Sequence, residues 1–225
     1  MAAVFLTAPA MAAPQLDYFY RTPARANAFP PLKRWFAADA RAAKAKFDRE
    51  VARERAASKK GNYPFNGWAA TREWKVVTET PRFLSLSLAG YAFSNGAHGS
   101  AFFDGLLYDK TARQRVKPVA LFVSSSGLSR TIRTDFCRAL DKQREEKRGT
   151  KVSRNDMFGE CIDPLNSTLI LGSRSGRAFD RIGILIGPYE AGAYAEGTYD
   201  VTLPVTPAII AQVKPAYRGA FAVAR

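Results

Sequence analysis

From Leu32 to about Ala57 apolar residues recur at Leu32, Trp35, Phe36, Ala40, Ala43, Phe47 and Val51. That spacing predicts one long helix with a single buried stripe. Before it, Asp17 to Pro31 is aromatic and punctuated by proline, the pattern of an extended strand followed by a turn. Beyond the Gly61 to Gly67 loop the period drops to two. Trp74, Val76 and Thr78 form one run, Phe83, Leu84, Leu86 and Leu88 the next, and Ala101 to Tyr108 a third, which together predict an antiparallel meander. The last two runs are joined by Ser94 to Gly99, whose glycines are expected to supply the positive φ angles of a tight connection.

Leu128, Ile132, Phe136 and Leu140 predict a second helix to about Lys147, with Ser124-Ser125-Ser126-Gly127 as its turn and amino-terminal cap. Strands follow at Leu169–Leu171, Ile182–Ile186 and Tyr199–Pro204, and a last helix lies near Pro207–Val213. The expected fold is α+β, antiparallel sheets with flanking helices. An amino-terminal subdomain would span 17–120 and a carboxy-terminal one 121–225.

Composition adds a compartment. The first twelve residues are uncharged and apolar, with Ala10 and Ala12 in the A-x-A spacing read by signal peptidase, so residues 1–12 are expected to be a signal peptide cleaved after about Ala12. No other stretch is long and apolar enough for a membrane helix, and the mature product is expected to be soluble and periplasmic, with no integral membrane segment. The two cysteines, Cys137 and Cys161, suit an oxidising compartment in which they pair, the alternative being two buried thiols. A bridge would close a loop of about 24 residues and stabilise the fold by ~3 kcal/mol in the chain-entropy model. One histidine and no C-x-x-C spacing speak against a metal site, and no phosphate loop or dinucleotide fingerprint is present, so no cofactor is expected.

The formal charge of +14 biases the chain toward anions. Outside the membrane these are lipid headgroups, acidic polysaccharide and peptidoglycan carboxylates, and nucleic acid is not an expected partner. Ten Lys and Arg residues, from Lys33 to Lys60, lie on the long helix against Asp39, Asp48, Glu50 and Glu54. They read either as a solvated face or as an anion-facing surface.

Two segments are candidate sites. Gly96-Ala97-His98-Gly99 holds the single histidine between glycines at a hairpin tip, where the imidazole either meets a ligand or anchors its own turn. Pro188 to Gly197 combines Tyr189, Tyr194, Glu190 and Glu196 with two glycines. It either presents aromatic faces and acceptors to a sugar or peptide, or forms an ordered crossover whose rings cap the core and whose carboxylates bind backbone amides or arginines. The binding candidates are therefore Gly96, His98, Gly99, Tyr189, Glu190, Tyr194 and Glu196, with no catalytic residue assigned. Hydrolysis by His98 with Glu190 or Glu196 is the weaker chemical alternative.

These two motifs, one after a Leu-Ser-Leu-Ser-Leu strand and one before Val-Thr-Leu-Pro, give the chain a resemblance from about Asp17 to Phe221. It resembles the envelope domain-of-unknown-function family shared by the RsiV anti-sigma factor and the accessory region of the PdaC peptidoglycan deacetylase. The resemblance implies a carboxy-terminal subdomain likened to part of the actin-like ATPase fold, without ATPase chemistry. It also implies a non-enzymatic binding or structural module of the envelope, acting on peptidoglycan or another anionic component. The deacetylase's catalytic domain has no counterpart here. The anti-sigma relative recognises lysozyme, so recognition or inhibition of a lysozyme-like hydrolase is the alternative, against which two cationic partners repel.

Overall fold

The computed structural model describes residues 15–224. The expected signal peptide, residues 1–12, lies outside the described residues. The chain begins with strand β1 (Leu16–Arg21) and helix α1 (Pro30–Gly61), then strands β2 (Trp68–Glu79), β3 (Phe83–Ser94), β4 (Ser100–Asp109) and β5 (Gln114–Val116). Helix α2 (Ser125–Arg148) leads to β6 (Thr168–Gly172), β7 (Arg181–Ile186), β8 (Tyr199–Pro204) and α3 (Pro207–Ala211). The fold is α+β, with a five-stranded sheet in the order β1-β2-β3-β4-β5 and a three-stranded sheet β6-β7-β8.

The expectation of purely antiparallel sheets needs correction. β1 pairs with β2 in parallel, so the larger sheet is mixed, while its other pairs and the whole smaller sheet are antiparallel. The cause is α1. A tight turn reverses a strand, whereas a long helical crossover brings the chain back to the end from which it started.

Helix α1 opens with prolines in its first turn, where the missing amide costs nothing, and ends at Asn62, which takes the left-handed conformation (φ 52°). Its stripe buries Leu32, Phe36, Phe47 and Val51, while Trp35, Ala40 and Ala43 are half-buried. Trp35 and Phe36 meet Trp74 edge-on, at centroid distances of 5.8 and 5.5 Å. Leu84, Leu86, Leu88, Leu106 and Tyr108 complete this apolar cluster on the α1 side of the sheet.

The opposite side of the sheet supplies Phe83 and Leu107 to a second cluster, with Leu128, Ile132, Phe136 and Leu140 of α2 and the inward residues of β6 to β8. β3 is thus buried on both faces from Phe83 to Leu86, so that Ser85, between Leu84 and Leu86, is buried along with them. Close approach of the two sheets requires Gly105, since a Cβ there would run into the Leu169 carbonyl. Val76 departs from the expected pattern. It lies opposite Leu86 but past the last residue of β2 that β1 covers, next to a register shift, and stays 38% exposed.

Helix α2 begins three residues earlier than the periodicity suggests, because Ser124 caps it by accepting a hydrogen bond from the Gly127 amide (3.0 Å). Cys137 and Cys161 form a disulfide that ties this helix to the loop after it. No described helix is long and apolar enough to cross a membrane.

Candidate functional site

The β3–β4 hairpin carries the first motif. Its left-handed residue is Asn95 (φ 58°), and neither Gly96 nor Gly99 has a positive φ, which corrects the role expected of these glycines. Asn tolerates this conformation, and its amide pins the turn to distant segments: Oδ1 accepts from the Asn66 amide (2.5 Å), and Nδ2 donates to Glu54 on α1 (2.9 Å). Gly99 is glycine for space. A Cβ would strike the Tyr91 ring and come within 2.7 Å of the Ala92 carbonyl oxygen.

Held in this way, His98 points outward and meets the second motif. Its Nδ1 lies 3.1 Å from the Gly99 carbonyl and its Nε2 lies 3.2 Å from the Tyr189 hydroxyl. A carbonyl only accepts, so Nδ1 carries the proton and Nε2 accepts from Tyr189. The imidazole also stacks on Tyr194, with centroids 3.9 Å apart and planes 25° apart. Tyr189 and Tyr194 are 5.7 Å apart, so three rings from segments about ninety residues distant in the chain form one group. His98 and Tyr189 are exposed and Tyr194 is half-buried.

The tyrosine loop is fixed from below by α2. Arg144 is fully buried and donates to the Ala191 carbonyl (2.8 Å), to the Glu160 carbonyl (3.0 Å) and to Asp141 (3.1 Å). One turn later Arg148 donates to Glu196 (3.0 Å), and Lys147 donates to the Glu196 and Thr198 carbonyls (2.7 and 2.6 Å). Glu196 also accepts from the Ala193 amide (2.9 Å) and from the Tyr199 hydroxyl. Burial raises the pKa of Glu196, but the hydrogen bonds from Tyr199, Arg148 and the Ala193 amide outweigh it and hold the carboxyl below its ordinary value. Burial and the hydrogen bond to Glu196 push Tyr199 up to about 12.

The predicted residues therefore divide. His98, Tyr189 and Tyr194 share one exposed patch, with Gly99 supporting it from beneath and Gly96 on its exposed turn. Glu196 instead closes its own loop. Glu190 accepts from Ser167 (2.5 Å), and Ser167 also lines a cleft of about 280 Å³ with Asp104, Lys117 and Thr168. Among the described residues the polar partners of His98 are Gly99 and Tyr189, neither of them a carboxylate. The patch can stack a flat or pyranose ring and hydrogen-bond it through the Tyr189 hydroxyl.

Sequence reasoning missed Arg144, Arg148 and Lys147. A signal was present, since Arg144 continues the stripe Ile132, Phe136, Leu140 at the next step of four, and a charge on a buried stripe needs partners. Tyr189 adds backbone strain. It adopts φ 67°, a region that bulky residues avoid and that clusters at binding sites.

Residues 14–101 match the family described as Deacetylase PdaC. No curated protein matches the chain. Among solved structures it is similar to a DUF3298 family member from Bacteroides fragilis, at 15% identity and a TM-score of 0.48, over 76% of this chain and 65% of that one. It is also similar to a DUF3298 family protein from Pseudomonas aeruginosa, at 15% identity and a TM-score of 0.41, over 70% and 66%. The chain thus spans about two thirds of the length of these structures. The resemblance to the PdaC family is borne out as a match over residues 14–101, which includes the His98 hairpin and not the tyrosine loop.

Proposed function

We propose that this chain is a non-catalytic binding or structural module of the bacterial envelope, exported to the periplasm, which recognises the cell wall or another anionic envelope component. The convergence of His98 with Tyr189 and Tyr194 is the observation that carries this reading. Two loops about ninety residues apart in the chain meet in an exposed, strained and aromatic patch, which is the composition of a recognition surface. The disulfide fits an oxidising compartment, and the charge of +14 favours acidic partners. On this reading residues 121–225 form a carboxy-terminal subdomain that would share architecture with part of the actin-like ATPase fold and none of its chemistry.

Sedimentation with purified peptidoglycan across a salt series tests the proposal. The wild type should be retained at low salt, and His98→Ala combined with Tyr194→Ala should weaken retention roughly ten-fold, the loss of about 1.4 kcal/mol of stacking. No retention of the wild type, or equal retention of a folded double variant, would overturn it. A stable complex with lysozyme on gel filtration, lost in the same variant, would transfer the patch to a protein partner.

A further inference from the structure

The exposed side of α1 is a second surface with its own chemistry. All four acidic residues of this helix are engaged: Asp39 with Tyr20 (2.5 Å), Asp48 with Lys44 (2.6 Å), Glu50 with Lys46 (3.7 Å) and Glu54 with Asn95 (2.9 Å). Arg34, Arg41, Arg49, Arg53, Lys59 and Lys60 are exposed and make no ion pair among the described residues. At about 100° per residue, Arg34, Arg41 and Lys59 fall on one flank of the outward direction and Arg49, Arg53 and Lys60 on the other. Between the flanks runs a ridge of small exposed residues, Ala38, Ala45, Ala52 and Ala56. From Arg34 to Lys60 the array is about 40 Å long at the helical rise of roughly 1.5 Å per residue.

We propose that this face of α1 docks the protein on a phosphate-bearing anionic lipid surface. Charge complementarity selects the partner class, and shape selects the lipid surface within it. The cations form two straight rows on a rigid rod that is buried along its back by Leu32, Phe36, Phe47 and Val51. Together the two flanks present six cations to one plane over the length of the helix, the arrangement that a plane of headgroups meets. The alanine ridge lets the helix approach closely but has no large apolar side chain to insert, so contact is electrostatic and reversible. The inference depends on the envelope reading only for bringing the chain to lipid, and it uses none of the residues of the His98 patch.

Vesicle sedimentation with the full chain tests it. Binding to phosphatidylcholine vesicles containing about 30% phosphatidylglycerol is expected at low salt, with none to phosphatidylcholine alone, and is expected to disappear as added salt shortens the screening length. Each basic residue near such a surface contributes roughly five-fold, so Arg41→Gln, Arg49→Gln and Arg53→Gln together should cost roughly 100-fold. Arg113→Gln, Lys151→Gln and Arg177→Gln remove the same charge from exposed sites elsewhere and should cost only a few-fold. Equal losses for the two triple variants would reduce the effect to net charge and overturn the proposal. So would wild-type indifference to phosphatidylglycerol, or α1-dependent binding to soluble alginate without binding to vesicles. The His98→Ala, Tyr194→Ala variant should bind vesicles like the wild type, which separates failure here from failure of the wall-binding reading.

Discussion

Replacing Arg144 by Met removes a wholly buried cation that ties α2 to the tyrosine loop. Its three acceptors are not equally costly to abandon. Asp141 keeps its bond from Arg154 (2.5 Å), and Glu160 is exposed, so its carbonyl can take water. Ala191 is 0% exposed, and its carbonyl would lose the Arg144 donor, at about 1–3 kcal/mol. Loss of the charge-assisted bonds to the other two adds to this, and the apolar Met stem returns part of the packing. The expected net loss is about 3 kcal/mol, at the lower edge of the ~3–5 kcal/mol seen when one partner of a buried ion pair is removed. Urea unfolding followed by circular dichroism reads it as a midpoint lowered by roughly 1 M at an ordinary slope. Arg144→Lys should recover little, because an ammonium cannot span acceptors arranged around a planar fork. A loss below about 1 kcal/mol for Met, or full recovery by Lys, would refute the view that Arg144 is the desolvated anchor of the loop.

Reduction of Cys137–Cys161, or the double replacement by Ser, should lower stability by roughly 3 kcal/mol by the entropy of its 24-residue loop, measured by denaturation with and without reductant. Because Cys161 follows Glu160, the same treatment should increase proteolysis within residues 149–163 first. Gly99→Ala should cost about 1–3 kcal/mol of overpacking against the Ala92 carbonyl and displace Tyr91, visible as a lowered melting temperature. Glu79 is gripped by Arg25 through two bonds of 2.6 Å and by Lys110, and the Arg25 hydrogen bonds outweigh burial to hold its carboxyl down to about 2. Its folded pKa is depressed, so its contribution is complete above the ordinary value near 4.5 and disappears as pH falls toward 2. Glu79→Gln should therefore cost about 1–2 kcal/mol at pH 7 and nothing near pH 2, and a difference independent of pH would count against the pairing.

The chain's own pattern determined the elements, because helical and strand periods are local properties. α1 and α2 follow from apolar stripes at steps of three and four, and the core strands from alternation or unbroken apolar runs. The cysteine count suggested the bridge, and the two glycine-bearing motifs suggested the family region and the candidate residues. Tertiary structure decided the rest, since none of it is encoded at short range. The parallel pairing of β1 with β2 depends on the path of a crossover that carries a 32-residue helix, not on either strand. The roles of Glu190 and Glu196 could not be told apart by composition. The difference lies in where Arg148, Ser167 and Tyr199 arrive in space. The meeting of His98 with Tyr189 and Tyr194 is likewise a consequence of packing two sheets through Gly105 and Leu169, which brings hairpin and loop to the same edge. Short-range pattern names which residues are suited to a site, and long-range packing selects which of them share it.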